Sequence, residues 1–363
     1  MNTFGKTIGL TIFGESHGLS IGAVLDGLPS GEAIDWDAVR TEMARRAPGK
    51  NPMSTARAEK DAFEVQSGFF NGYTTGTPLC AIIRNRDQHS RDYDQLRHLM
   101  RPGHADYSGK IRYGGFNDYR GGGHFSGRLT APLVFAGAVA SQILARHGIT
   151  VGSHILRLAG IADKPFNAVG ETAETLQALK KETLPVLDKA QAGPMEAKIL
   201  AAKNDLDSVG GVIECMITGL PAGIGDPFFD SVESQLSHMM FSVPAVKGIE
   251  FGDGFALADL RGSQANDAFY YDGDVVKTRT NHNGGINGGI TNGMPIIFRL
   301  AIKPTASISQ KQETIDTDTK ENCDLVIKGR HDPCIVQRAI PVVEAAAAWA
   351  ILDVCLSEKG RCW

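Results

Sequence analysis

The sequence predicts a mixed fold in which helices lie between layers of sheet, and three observations predict it. The run from Leu129 to Ala145 carries no charge and is apolar almost all round. A second such run extends from about Ala339 to Leu356, with Glu344 almost its only charge before Asp353. A helix that is apolar on every face must be covered on every side. The remaining segments are mostly short and strand-like, so the covering layers are sheets. With 363 residues and no low-complexity linker, the chain reads as one continuous domain, 1–363.

In chain order, Thr7 to Phe13 and Ser20 to Leu25 read as strands, joined through Gly14-Glu-Ser-His-Gly18, which sets His17 on a turn. A helix follows from the N-cap Asp35, with Ile34, Val39 and Met43 apolar, and stops at Pro48-Gly49. Arg45 and Arg46 fall in its last turn, where the macrodipole favours cations whatever else they do. Residues 52 to 60 form a polar loop, and Ala62 to Gln66 and Pro78 to Arg84 are strands. Arg101 to Thr130 is a loop rich in Gly, Arg and His. The first apolar helix starts at Ser126 or Pro132 and reaches His147, with Gly148 as its stop. Strands are expected at Val151 to Leu158, Gly211 to Thr218, Met294 to Ile302 and Asp324 to Ile327, while 162 to 207 reads as a charged helical scaffold. Strand, Gly-Leu-Pro-Ser-Gly and helix occupy 19 to 46, and strand, Gly-Leu-Pro-Ala-Gly and helix recur from Val212 to about Phe241. This echo suggests two halves related by a pseudo-twofold, although the turn is a common one.

A net charge of -4 supplies no global field for nucleic acid, so an anionic ligand must be held by local arginines. The six cysteines include no C-x-x-C pair and the first residues lack a signal-peptide core, which suits a reducing cytoplasm. The uncharged run ending before Arg146 is shorter than the ~20 residues of a membrane span, and a buried helix explains it better.

The chemistry concentrates around Arg101 to Thr130. Glycines let backbone approach a ligand closely, and arginine forks match phosphate and carboxylate oxygens. Arg46, Arg57, Arg101, Arg128 and Arg330 all stand beside Gly, Pro or small polar residues, as a clamp for a multiply charged substrate would require. His17 and His104 lie in glycine-flanked loops, where an imidazole can titrate against a ligand. Asp332, in Arg330-His-Asp-Pro333, is a general base if its loop desolvates it, or simply a turn starter. The histidines lack H-x-x-x-H and H-E-x-x-H spacing, so no metal site is assigned. Two other readings stay open on these residues alone: a metal-dependent phosphohydrolase using the histidines, and an RNA contact through Tyr119-Arg-Gly-Gly-Gly123, which the acidic balance opposes.

Three stretches, Gly14 to Pro29, Arg101 to Asp106 leading to Ser126 to Thr130, and Gly329 to Cys334 with Glu344, resemble the chorismate synthase family. Ala245-Val-Lys-Gly248, Gly252-Asp-Gly-Phe255, Arg261-Gly-Ser-Gln264 and Asn281-His282 extend the resemblance over nearly the whole chain. It implies an α+β fold, a β-α-β sandwich with long central helices between two antiparallel sheets, assembled as a homotetramer. It implies the anti 1,4-elimination of phosphate from 5-enolpyruvylshikimate 3-phosphate, giving chorismate for aromatic amino acid biosynthesis, with reduced FMN required. The resemblance places His17 to protonate the reduced flavin, His104 near the leaving phosphate and Asp332 in proton removal. Arg46, Arg57, Arg101, Arg128 and Arg330 resemble the substrate clamp. His124, Phe125, Ser126, Pro244, Ala245, Gly288, Lys303, Pro304, Thr305, Ala306, Ser307 and Arg330 resemble the FMN contacts. Many members have Arg and Ser where His124 and Phe125 stand here. Pro52 occupies a position that is often basic, at a nicotinamide site built around Arg46, which leaves open whether NADPH serves as reductant or a separate flavin reductase does.

Overall fold

The computed structural model describes residues 1–49, 53–54, 59–86, 96–327 and 331–358. One antiparallel sheet orders its strands Thr3–Phe4, Gly9–Gly14, Ser20–Asp26, Leu79–Arg84 and Phe63–Ser67. The other orders Val246–Phe251, Ile296–Ile302, Gly211–Thr218, Thr150–Leu158 and Ile161–Ala162, also antiparallel. Four helices make the layer between: α1 (Trp36–Arg46), α2 (Thr130–Arg146), α3 (Val232–Ser242) and α4 (Val336–Ser357). α2 packs on the N-terminal sheet, α4 on the C-terminal sheet, and the two pack on each other.

The local signals act as the sequence leads one to expect. The Asp35 carboxylate accepts from the backbone amides of Asp37 at 2.8 Å and Ala38 at 3.3 Å, capping α1. Gly148 takes φ +75 just past α2. At Gly137 any side chain would overlap the Ala345 backbone, so the two long helices touch where both are smallest. By length and composition both could cross a membrane, but α4 is wholly buried and α2 largely so, which explains their all-round apolarity.

The two acidic residues within α4 are pinned rather than solvated. Asp353 accepts from the amides of Lys6, Thr7 and Ile8 at 2.8–2.9 Å, tying the N-terminal segment to the helix. Glu344 accepts from Arg45 Nη1 at 2.5 Å and from the Ser153 amide at 3.1 Å, joining α1 and the Thr150–Leu158 strand.

Two expectations change. The segment read as a strand over 324–327 is instead Glu321–Leu325, paired with Gln312–Asp316 in a separate hairpin outside both large sheets. Its exposed, polar alternation suits a hairpin that carries little core. The Arg101–Thr130 region is not all loop either: Asp106–Arg112 is helical, hidden in sequence by Gly109, against which Phe125 packs so closely that a side chain there would overlap its ring.

The outer face of the C-terminal sheet is covered by the scaffold segment, with Phe166, Leu176 and Leu179 packing on Met216 and Ile297. Beside this patch His154 is fully buried, its Nδ1 3.1 Å from Asp163 and its Nε2 2.9 Å from Glu214, which also accepts from Arg299 Nε at 3.0 Å. Burial lowers the His154 pKa, but hydrogen bonds and charge from the two carboxylates outweigh it and raise the group above its usual value. The imidazolium therefore stabilises the fold fully below its unfolded pKa of about 6.5, and that contribution fades as pH rises through the elevated folded value. His154→Ala should cost about 3–5 kcal/mol at pH 6, by removing the buried cation between Asp163 and Glu214 and leaving Glu214 with Arg299 alone. Thermal unfolding from pH 5 to 9 should also show that the variant loses the wild-type decline on the alkaline side. An unchanged decline would show that another group causes it.

Candidate active site

The helical layer gathers its charges at one end. α2 and α4 begin there, while α1 and α3 finish there at Arg46 and Ser242. α4 has no side-chain N-cap, whereas the short turn Gly127–Leu129 leading into α2 is capped by Ser126 Oγ on the Arg128 amide, and the two positive dipole ends border the same space. An anion is the natural guest.

A cavity of about 800 Å³ opens at this end. His124, Phe125 and Ser126 line it from the segment before α2, Pro244 and Ala245 from the segment after α3, and Lys303 to Ser307 from beyond the Ile296–Ile302 strand. Arg101, His104 and Asp332 border it as well, together with His331, whose pKa burial lowers. A recess of about 220 Å³ adjoins, bordered by Arg46, Arg128, Arg338 and Glu59, and it shares Ser126, Gly127, Thr130 and Asp332 with the larger cavity. Segments remote in sequence thus meet at one site.

The larger cavity suits a ligand with a broad apolar part and an anionic tail. Its volume is in the range of pockets that hold cofactors. Leu133, Pro244, Ala245 and Ile335 supply apolar wall, Lys303 and Arg101 supply cations, and Thr305 Oγ1 is buried with no hydrogen-bond partner among the described residues. The cationic segments are locked together: Lys303 Nζ donates to the Gly103 carbonyl at 2.5 Å and Arg101 Nη1 to Ser307 Oγ at 3.2 Å. These residues fit FMN.

The histidines bracket a glycine wall. Gly121, Gly122 and Gly123 take φ of +58, +83 and +53, a run of left-handed backbone that residues with side chains rarely adopt. The His17 ring lies against Gly121, where any Cβ would overlap it, and the His104 ring lies 3.1 Å from where a Gly122 Cβ would stand. His17 is buried behind this wall, whereas His104 reaches the cavity. Asp106 Oδ1 sits 2.7 Å from His104 Nδ1 and also accepts from Arg101 Nη2 at 2.8 Å. Burial pushes the Asp106 pKa up, yet the hydrogen bonds and charges of Arg101 and His104 outweigh it and hold the carboxyl well below the usual range. A permanently charged Asp106 fixes the His104 ring and leaves Nε2 for chemistry.

Two of the arginines converge on a carboxylate that sequence reasoning missed, Asp61. Arg46 and Arg128 both donate Nη1 to Asp61, one to each oxygen. Arg338 Nη1 donates to Asp332 at 2.5 Å and its Nε to the Arg46 carbonyl at 3.1 Å, so Arg338 positions Asp332 at the cavity edge. Arg128 Nη2 is buried with no hydrogen-bond partner among the described residues. Glu59 stands 3.8 Å from it as an ion-pair partner, and an entering oxyanion would supply the hydrogen-bond acceptor that this donor lacks. Arg101 differs from the others, since Asp106 takes two of its nitrogens. His124 donates Nδ1 to the Gly14 carbonyl at 2.8 Å when protonated there. Gly288 stands apart from the cavity lining, in the tight hairpin between Ile286–Asn287 and Ile290–Thr291. Arg57, Arg330 and Pro52 lie outside the described residues.

The glycine wall gives a direct test. Gly121→Ala should destabilise the protein by about 1–3 kcal/mol in urea unfolding, through its left-handed φ and the displaced His17 ring. Gly127→Ala should change stability by less than about 1 kcal/mol, since its Cβ would meet open space. Equal costs would mean that the wall does not depend on Gly121.

Comparison with known proteins gives the family. Residues 8–356 match the family profile described as chorismate synthase. A chorismate synthase of Dehalococcoides mccartyi is 45% identical over 355 residues, covering 98% of this chain and 96% of the relative. That of Chitinophaga pinensis is 45% identical over 360 residues (99% and 98%), and that of Korarchaeum cryptofilum 42% over 350 residues (96% of each). A crystal structure of a chorismate synthase superposes with a TM-score of 0.75 at 27% identity, covering 98% of this chain and 94% of that one. The chain belongs to the chorismate synthase family.

Proposed function

We propose that this chain converts 5-enolpyruvylshikimate 3-phosphate to chorismate, with FMN held in the 800 Å³ cavity and the substrate's anionic groups in the adjoining arginine recess. The convergence of Arg46, Arg128 and Arg338 on one recess beside the larger cavity is the observation that carries this reading. In the reaction a C–O bond to phosphate and a C–H bond at C6 break, the phosphate leaves with its bonding pair, and no net electrons are gained or lost. When bound, reduced FMN supplies an electron-rich ring that relieves the electron demand at the allylic carbon as phosphate departs.

The chain's own residues do the rest. Arg46 and Arg128 orient the substrate and neutralise the departing phosphate in a site where burial strengthens each ion pair. His104, with Nδ1 held by Asp106, delivers a proton from Nε2 to the phosphate. Asp332, with one oxygen held by Arg338, is the carboxylate that receives the proton lost from C6. His17, one residue-width behind the cavity wall at Gly121, is the buried imidazole that sets the protonation of the ring system.

The test is anaerobic, with purified protein, the phosphorylated substrate and chemically reduced FMN, following phosphate and chorismate together against an oxidised-FMN control. Equal release of both products with reduced flavin alone is expected. Phosphate without chorismate would contradict the proposal, as would indifference to flavin. NADPH in place of the chemical reductant then distinguishes a chain that reduces its own flavin from one served by a separate reductase.

A further inference from the structure

We propose that Asp61 is a positioning residue for substrate binding, its buried carboxylate holding Arg46 and Arg128 side by side so that both border the recess. The proposal rests on the functional reading above and adds a residue to it.

Asp61 is built for a task. Its side chain is 0% exposed, and its backbone takes φ +49, a conformation that residues with a Cβ adopt only when their surroundings hold them there. Both carboxylate oxygens are used, Oδ2 by Arg46 and Oδ1 by Arg128. The remaining donors are then assigned one by one. Arg46 gives Nε to Thr130 Oγ1 at 3.0 Å and Nη2 to the Gly127 carbonyl at 3.3 Å. Arg128 gives Nε to Asn85 Oδ1 at 3.1 Å, while Glu59 stands 3.8 Å from Nη2, beyond hydrogen-bond reach. Asp61 thus takes one nitrogen from each of two arginines, and Arg128 Nη2 keeps only the 3.8 Å ion-pair contact with Glu59, so an oxyanion reaching it would supply the hydrogen-bond acceptor it lacks.

Without Asp61 two buried guanidiniums would face each other uncompensated. The groups around Arg46 are Asp61, Arg128 and Arg338 as direct charges, the Thr130 hydroxyl and the Gly127 carbonyl as acceptors, and Glu59 and Asp332 across the same recess. Burial lowers the Arg46 pKa to about 10, with Arg338 and Arg128 adding to that and Asp61 opposing it. Neutralising Asp61 therefore moves the loss of the Arg46 charge to lower pH.

Asp61→Asn should raise KM for 5-enolpyruvylshikimate 3-phosphate by about tenfold or more, with kcat changed less, FMN affinity by flavin fluorescence unchanged, and the alkaline limb of kcat/KM shifted to lower pH. Asp61→Glu, which keeps the charge, should recover part of the loss. Because Asp61→Asn alone could impair folding, the same substitution is also made in an Arg128→Gln background, where two buried charges leave together. If Asp61 acts through Arg128, it adds little further rise in KM there. A wild-type KM and alkaline limb in Asp61→Asn, or a full additional penalty in the Arg128→Gln background, would overturn the proposal. If the wild-type chain makes no chorismate, the functional reading fails instead. Calorimetric binding of inorganic phosphate then decides the role of Asp61 alone: weaker binding in Asp61→Asn supports it, and equal binding refutes it.

Discussion

Gly137 lets α2 and α4 approach until one helix meets the backbone of the other at Ala345, and the rest of the molecule is arranged around that contact. Each helix turns its other side to one sheet, so a single close crossing joins the two sheets into one core that runs from Ile8 to Leu356. Dispersion and the hydrophobic effect favour this arrangement because small residues (Ala136 and Ala138 on α2, Ala345 to Ala348 on α4) leave no room for water. The same crossing has an electrostatic consequence. It brings two helix N-termini to one end of the layer, where Arg46, Arg128 and Arg338 collect, so helix dipoles and side chains present positive charge to the same space.

Cations packed this densely would repel one another without internal anions. Asp61, Asp106 and Asp332 answer that, each paired with at least one arginine. The division of labour differs among them. Asp106 consumes most of Arg101 and steadies His104, whereas Asp61 takes one nitrogen from each of two arginines and leaves a donor open. Preorganisation of this kind places the cost of collecting charge on folding, so that ligand meets donors already aimed.

Much of this was legible in the chain, and the reasons are local. α1 is announced by the Asp35 cap, α2 by its uncharged run and Gly148, α4 by apolarity that from Ala339 to Leu356 is broken only by Glu344 and Asp353. The clustered glycines at 121–123 signal unusual backbone because their φ values demand glycine. What stayed hidden is pairing at a distance. Asp61 lies 15 residues from Arg46 and 67 from Arg128, inside an ordinary polar stretch, and nothing in its neighbours marks it as buried. Arg338 falls just before the apolar run from Ala339 and carries no motif of its own, yet the first turn of α4 brings it to Asp332. The placement of His17 behind the glycine wall, rather than open to the cavity, likewise depends on how two remote loops stack.

The most direct measurement is a crystal structure of the protein with FMN and 5-enolpyruvylshikimate 3-phosphate. The account predicts the flavin ring against Ser126, Pro244 and Ala245, with substrate phosphate or carboxylate oxygens within hydrogen-bond distance of Arg128 Nη2. Flavin bound instead in the separate cavity of about 390 Å³ beside Asp118 and Tyr119, or substrate seated away from Arg128, would contradict it.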